Sequence, residues 1–295
     1  MLGTQRGAVA LTGLIVEGHE LGAALATVQE QHSGPGPGTC GSSARGHGAT
    51  VLAGTGQPVD RCWLRSSLMF VAFDADDTLW HNEDMFDATH RAFEELLSPW
   101  APAEVVDARL YDIEMRNLAR YGYGAKAFML SMTETAIDVS DGAISGADIG
   151  RIIELGHAIL DRPTDLLDGV VDVLDAVAHH TLMLITKGDL YAQHARIAES
   201  GLADRFWRIE VVAQKDVATY RRVLEHHRVP IESFVMVGNS LPSDVLPVAA
   251  LGGRGVHVPY HVTWAHETHH DGDHGHGIHT LGHIRDLPAL LETWA

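Results

Sequence analysis

Short apolar runs alternate with helix-like stretches along much of the chain. The first run, MFVAF (69–73), ends at Asp74, and four later runs are TLMLIT (181–186), RIEVV (208–212), FVMVG (234–238) and GVHVP (255–259). Brief, continuously apolar runs separated by helical periods are typical of parallel strands that are covered by helices on both faces. The pattern therefore predicts a fold of the α/β class.

A long stretch of helical periodicity separates the first apolar run from the others. It opens with NEDMFDATHRAFEELL, for which Asn82 is the predicted N-cap, and it contains three further helical segments. We assign residues 84–162 to an all-helical cap domain, and residues 69–83 and 163–295 to the core. Because parallel sheets bind ligands beyond the carboxyl ends of their strands, a site is expected between core and cap.

Two segments show neither strand-like apolar runs nor helical periodicity. Residues 1–68 are rich in Gly, Pro and Ser, which predicts a disordered N-terminal extension. Residues 261–283 form a histidine-rich stretch whose Gly and Asp content predicts a solvated loop. Imidazoles at this density can bind transition metals, but their spacing defines no closed tetrahedral site.

Composition narrows the choice of partner and compartment. The formal net charge of -18 argues against nucleic acid and against an anionic membrane surface. Cys40 and Cys62 are the two cysteines of the 295 residues, which fits a reducing cytoplasm. Since no apolar run is long enough to cross a bilayer, we expect a cytoplasmic protein that acts on a small molecule.

Polar residues follow the predicted strands at the points where a parallel sheet would gather them. They are Asp74, Asp76, Thr186, Lys215, Asn239 and Asp244. Two carboxylates two positions apart can serve as nucleophile and as general acid and base. A phosphoryl group in transfer needs a hydroxyl donor, an ammonium group and a hard cation with oxygen ligands. The set therefore predicts a phosphate site that uses Mg2+.

These residues resemble the four motifs of the haloacid dehalogenase superfamily, in the same order. The motifs are DADDT (Asp74–Thr78), the Thr of LITKGD, the Lys of VVAQKD, and GNSLPSD (Gly238–Asp244). The resemblance extends over residues 69–260. It implies a Rossmann-like parallel sheet core with a helical cap inserted after the first strand.

The resemblance also implies a role for each motif residue. Asp74 would attack phosphorus and form an aspartyl-phosphate, while Asp76 would protonate the leaving oxygen and later deprotonate the attacking water. Thr186 and Lys215 would hold the transferring group. Mg2+ would be held by Asp74, the main-chain carbonyl of Asp76, and two residues of the fourth motif, Asn239 and Asp244.

Three positions depart from the usual family pattern. Asp77 stands where the family commonly has Gly, and the sequence offers no reason for its added charge. Asn239 stands where an acid is common, so Asp244 is the expected main metal anchor and weaker metal binding is predicted. Lys187 replaces a common Asn. We assign substrate contacts to Thr78, Lys187, Gly188, Tyr123 and Lys126, the last two of which lie in the cap.

The prediction is thus a Mg2+-dependent phosphatase that hydrolyses a small phosphorylated metabolite, and three alternatives stay open. A dehalogenase would lack the Asp76 carboxylate. A phosphonate-cleaving enzyme would need a Schiff-base lysine in the cap, where Lys126 is the one lysine. A non-catalytic protein that binds a phosphorylated ligand or a metal is suggested by Asn239 and by the histidine-rich stretch.

Overall fold

The computed structural model describes residues 68–261 and 277–294. Within them, six parallel strands form a sheet in the order β3-β2-β1-β4-β5-β6. The strands are β1 (Phe70–Phe73), β2 (Thr181–Lys187), β3 (Arg208–Val212), β4 (Phe234–Gly238), β5 (Arg254–His257) and β6 (Ile278–Thr280). The central strand β1 pairs with β2 on one side and β4 on the other. The predicted α/β fold is confirmed.

Alternate side chains of β1 enter two separate apolar layers, as the twofold repeat of a strand requires. Phe73 packs with residues of helices α5, α6 and α9, whereas Ala72 packs with residues of α7 and α8. These helices are α5 (Val170–Ala176), α6 (Leu190–Glu199), α7 (Val217–His227), α8 (Leu246–Ala250) and α9 (Leu287–Glu292). The sheet is therefore covered on both faces.

Four helices follow β1 before the chain returns to the sheet. They are α1 (Glu83–Leu97), α2 (Ala103–Tyr121), α3 (Ala125–Val139) and α4 (Gly146–Leu160). Their apolar faces form a core of their own, in which Phe93, Leu110, Met132 and Ile152 are fully buried. The helical cap inserted after the first strand is confirmed, and its separate core allows it to pack as a unit over the sheet.

One local expectation is wrong, and another holds only in part. Residues 278–280 form β6 and pair with β5, whereas the sequence predicts a loop over residues 261–283. Their apolar signal is a single Ile, and the strand depends on an existing sheet edge. Asn82 occupies the N-cap position of α1 as predicted, but its side chain makes no capping hydrogen bond. Asp77 supplies that contact, as described below.

Other expectations fall outside the described residues. The predicted N-terminal extension lies almost wholly there, and so do residues 262–276 of the histidine-rich stretch. Across the part of the chain that the structure describes, no helix is long and apolar enough to span a membrane.

Candidate active site

A cavity of about 670 Å³ opens between the carboxyl ends of the central strands and the cap helices. All but one of the predicted site residues line it. They are Asp74, Asp76, Tyr123, Lys126, Thr186, Lys187, Gly188, Lys215, Asn239 and Asp244. The exception is Thr78, which lies buried behind Asp74 and hydrogen-bonds to it. The parallel strands therefore bring together residues that are up to 170 positions apart in sequence.

Asp74 lies directly after β1 and is almost completely buried. Its main-chain N–H donates to the carbonyl of Val237 at 2.8 Å, which extends the pairing of β1 with β4 by one residue. Thr78 Oγ1 donates to Asp74 Oδ2 at 3.2 Å, and Lys215 Nζ donates to Asp74 Oδ1. The carboxylate is therefore fixed from two sides before any ligand arrives.

Lys215 bridges two carboxylates at the base of the cavity. Its ammonium group contacts Asp74 and also donates to Asp244 Oδ1 at 2.6 Å, and all three residues are buried. Burial lowers the pKa of Lys215, but Asp244 and Asp74 more than offset this and raise it above its ordinary value. Burial raises the pKa of Asp74 to about 7, against the opposing effect of Lys215. One ammonium group thus faces two carboxylates.

The fourth motif is anchored to Asp74 through Thr78. The main-chain N–H of Asn239 donates to Thr78 Oγ1 at 3.1 Å, and Thr78 lies 3.4 Å from Asn239 Oδ1. The carbonyl of Asn239 lies 3.0 Å from His257 Nε2, at the end of β5. Asp244 Oδ2 accepts from the N–H of Ser240 at 3.1 Å. These contacts hold carboxylate and amide oxygens near the buried lysine.

Thr186 is the last residue but one of β2, and its hydroxyl group lies buried at the cavity. Thr186 Oγ1 makes no hydrogen bond to any other described residue. A buried hydroxyl without a partner costs free energy, and a ligand oxygen would remove that cost. This feature is compatible with the predicted phosphate contact.

Asp76 differs from Asp74 because side chains outside the four motifs hold it. Asp76 Oδ1 accepts from Trp80 Nε1 at 2.8 Å and from Arg196 Nη1 at 2.9 Å. Asp76 Oδ2 accepts from Gln193 Nε2 at 2.7 Å. The four motifs predict none of these three donors. The spacing of Gln193 and Arg196 on α6 was the one available signal, since residues three apart share a helix face.

Asp77 caps the first helix of the cap domain, which explains the acid found where the family commonly has Gly. It adopts the left-handed region with φ 60°, which Asp tolerates better than most residues. Its Oδ1 accepts from the main-chain N–H of Asn82 at 2.9 Å and of Glu83 at 3.0 Å. Burial raises the pKa of Asp77 to about 7, while the hydrogen bonds to Glu83 and Asn82 oppose this shift. The turn that follows Asp74 and Asp76 is thereby tied to α1.

The loop between α2 and α3 and the first turn of α3 contact the core near Thr186. In that turn, Lys126 Nζ pairs with Asp189 Oδ1 at 2.9 Å, and both residues line the cavity. Lys187 Nζ lies 4.6 Å from the ring centre of Tyr123 and donates to Ser243 Oγ at 2.9 Å. The predicted cap residues therefore lie against the core at the cavity wall.

Comparison with known proteins gives the class of this molecule. Residues 68–252 match the family of haloacid dehalogenase-like hydrolases, and the chain belongs to that family. Among proteins with curated descriptions, none matches the chain.

Solved structures agree with the family. The chain is similar to a haloacid dehalogenase-like family hydrolase from Xanthomonas campestris, with 41% identity and a TM-score of 0.69 over 77% of this chain and 91% of that one. A 2-haloacid dehalogenase from Pseudomonas syringae shares the fold at 22% identity, with a TM-score of 0.53 over 77% of this chain and 100% of that one. The HAD-hydrolase YfnB from Bacillus subtilis, solved with magnesium bound, shares it at 16% identity, with a TM-score of 0.52 over 76% and 98%.

Proposed function

We propose that this hydrolase cleaves a small-molecule phosphate monoester through an aspartyl-phosphate on Asp74, with Mg2+ as cofactor. One observation carries the proposal. Asp74 and Asp76 both present carboxylates to one cavity, and Asp74 is the one that contacts the buried ammonium group of Lys215. Two carboxylates with different partners can take the different roles of nucleophile and proton donor.

The proposed reaction has two steps. In the first, an oxygen of Asp74 forms a bond to phosphorus as the bond to the leaving oxygen breaks, and Asp76 gives its proton to that oxygen. In the second, Asp76 takes a proton from water as the water oxygen attacks phosphorus. The bond between Asp74 and phosphorus then breaks, which releases phosphate and restores the carboxylate. Lys215 and Thr186 hold the non-bridging oxygens in both steps.

The residues present fit a magnesium ion. Asp74, Asp244 and Asn239 offer side-chain oxygens, and Asp76 offers its main-chain carbonyl, all of which are ligands that Mg2+ prefers. When both are ionised, Asp74 and Asp244 carry two negative charges against the single positive charge of Lys215, and a bound cation would balance the excess. When bound, Mg2+ supplies positive charge that stabilises the phosphoryl oxygens in the transition state.

The cavity supports a small metabolite as the substrate. A volume of about 670 Å³ falls within the usual range for small-molecule sites. Tyr123, Lys126, Lys187 and Gly188 would contact the leaving group, because they line the cavity where the cap meets the core. A cytoplasmic location, suggested by the two cysteines, belongs to the same proposal.

The experiment is a hydrolysis assay with a panel of phosphorylated metabolites. The wild-type protein should release phosphate with Mg2+ and stop when EDTA is added, and Asp74→Asn should lower kcat by at least about 10³-fold. The matched control is Asp175→Asn, which removes an exposed carboxylate paired with Arg205 outside the cavity. Equal turnover by Asp74→Asn would contradict the mechanism.

Turnover in water enriched in ¹⁸O separates the phosphatase from a dehalogenase. In the proposed reaction water attacks phosphorus, so the label appears in released phosphate and not in Asp74. A dehalogenase forms an ester on the aspartate, and water that attacks the carbonyl carbon places the label in the carboxylate. Label in Asp74 during turnover of a 2-haloacid, with no phosphate ester hydrolysed, would replace the proposal with dehalogenation.

A further inference from the structure

We propose that Gln193 and Arg196 are positioning residues that orient Asp76 for proton transfer to the leaving group. Both project from α6, which directly follows the loop of the second motif. The inference rests on the proposed function, because that function requires Asp76 as the acid. Residues of α6 would set the orientation of its carboxyl group. It gives that helix a role beyond packing against the sheet.

The hydrogen bonds of Asp76 leave one acceptor direction of its carboxylate for the proton that the leaving group would receive. An ionised carboxylate has about four acceptor directions, two on each oxygen. Asp76 Oδ1 uses both of its directions, since Trp80 and Arg196 donate to it at 2.8 and 2.9 Å. Asp76 Oδ2 accepts one bond, from Gln193 at 2.7 Å. The remaining direction on Oδ2 is therefore where a transferable proton would reside.

The orientation of Gln193 is fixed by its surroundings. Its Nε2 donates to Asp76 Oδ2 and also to the main-chain carbonyl of Lys187 at 3.2 Å. A carbonyl oxygen can accept but not donate, so the reversed amide would place two oxygens against each other. A Cβ atom at Gly188 would come within 3.0 Å of Gln193 Nε2, so the glycine leaves room for this contact. Gln193 thus links Asp76 to the segment that carries Thr186.

The orientation of Arg196 is likewise fixed by two hydrogen bonds. Its Nη1 donates to Asp76 Oδ1 at 2.9 Å and to Asn82 Oδ1 at 2.5 Å, and the side chain is 15% exposed. A hydrogen bond between charged groups is about twice as strong as one between neutral groups, and the low exposure of both side chains limits screening of this one. Arg196 therefore holds Asp76 and the start of the cap in one arrangement.

The test uses two phosphate esters whose leaving groups differ in how much their departure depends on protonation by an acid. Phenyl phosphate releases a basic oxygen that must be protonated, whereas 2,4-dinitrophenyl phosphate releases a stable anion. For Arg196→Gln we expect kcat/KM to fall about 30-fold on phenyl phosphate and less than about threefold on the dinitrophenyl ester. Gln193→Met keeps the side-chain volume, removes the donor, and should show the same selectivity.

Three further variants make the test specific. Arg205→Gln removes a partly buried arginine outside the cavity and should leave both rates unchanged. Arg196→Lys keeps the charge and should restore part of the activity on phenyl phosphate. In an Asp76→Asn background, Arg196→Gln should have little additional effect, because residues that act through one group are not additive.

The possible outcomes distinguish failure of the proposed function from failure of the positioning role. If the wild-type protein hydrolyses neither ester, the proposed function is contradicted and the positioning role falls with it. If the wild type hydrolyses both and Arg196→Gln and Gln193→Met lower both rates equally, the positioning role alone is overturned. Circular dichroism of each variant checks that the kcat/KM values on the two esters are measured on folded protein.

Discussion

The base of the cavity and its cap side are built in different ways. At the base, Asp74, Lys215 and Asp244 are at most 6% exposed and contact one another directly. On the cap side, Lys126 is 47% exposed and meets the core through an ion pair with Asp189 and a contact with the ring of Tyr191. Separating buried charges from their partners costs several kcal/mol of free energy, whereas exposed ion pairs contribute little to stability. The base can therefore keep a fixed chemistry while the cap side changes with the substrate.

The strongest test of this contrast removes the cation at the base. Lys215→Met leaves the carboxylates of Asp74 and Asp244 buried without their shared partner. We expect a loss of about 3 kcal/mol in the free energy of unfolding, measured by urea titration, and no detectable phosphatase activity. Part of the stability should return when Mg2+ is added.

Lys126→Met is the matched control for this variant, since it replaces another lysine of the cavity wall by the same residue. Its exposed ion pair predicts a loss below about 1 kcal/mol. Equal losses in the two variants would show that the base and the cap side do not differ as described.

A second test adds a ligand to the magnesium site proposed at the base. Asn239→Asp adds one carboxylate beside Asp74 and Asp244, and affinity for a hard cation rises with the charge of its ligands. The Mg2+ concentration for half-maximal activity should fall by about tenfold, which is 1.4 kcal/mol of binding free energy. A value that stays constant would mean that residue 239 does not contact the metal.

A third test concerns recognition on the cap side. Lys126→Met should raise KM for the metabolite that the panel identifies by about threefold to tenfold, with kcat nearly unchanged. Arg109→Gln is the control, because Arg109 forms an equally exposed ion pair with Asp138 within the cap, away from the cavity. A fall in kcat with unchanged KM would move Lys126 from recognition to chemistry.

The smallest effect is expected from a buried core residue far from the cavity. His180 Nδ1 lies 3.4 Å from the main-chain N–H of Met69, and burial lowers the pKa of His180 below its ordinary value of 6.5. The unfolded chain therefore takes up a proton more readily, so stability falls as the pH drops below about 6.5. His180→Asn should reduce the fall in Tm between pH 7.5 and 5.5 by a few degrees.

Exposed His194 provides the comparison, and His194→Asn should leave that pH dependence unchanged. Neither histidine lines the cavity, so activity should be unaffected in both variants. An identical pH dependence in wild type and His180→Asn would show that this histidine does not contribute.

The sheet and the base of the site could be predicted from the sequence, because both follow from one rule. Parallel strands end at the same edge, so Asp74, Thr186 and Asp244 converge whatever the cap does. The contacts of Asp76 could not be predicted in this way. Which face of α6 turns toward the cavity depends on how that helix packs, and Gln193 and Arg196 read as ordinary polar positions.

Asp77 and β6 escaped prediction for local reasons. Asp77 contacts N–H groups five and six positions ahead, across a turn whose path the residue pattern does not determine. Strand β6 has three residues, one of them strongly apolar, and its position is set by the edge of β5. Short-range patterns therefore predicted elements with a strong repeat and missed those that depend on a neighbour.

The central claim is that Asp74 carries the phosphoryl group during turnover. A borohydride quench of the protein during hydrolysis of a phosphate ester reduces an acyl phosphate, and peptide mass spectrometry then locates the changed residue. We expect a reduced side chain at position 74, and none when the ester is omitted. Continued turnover with residue 74 unmodified would contradict it, and a reduced adduct on Lys126 would instead indicate a Schiff base.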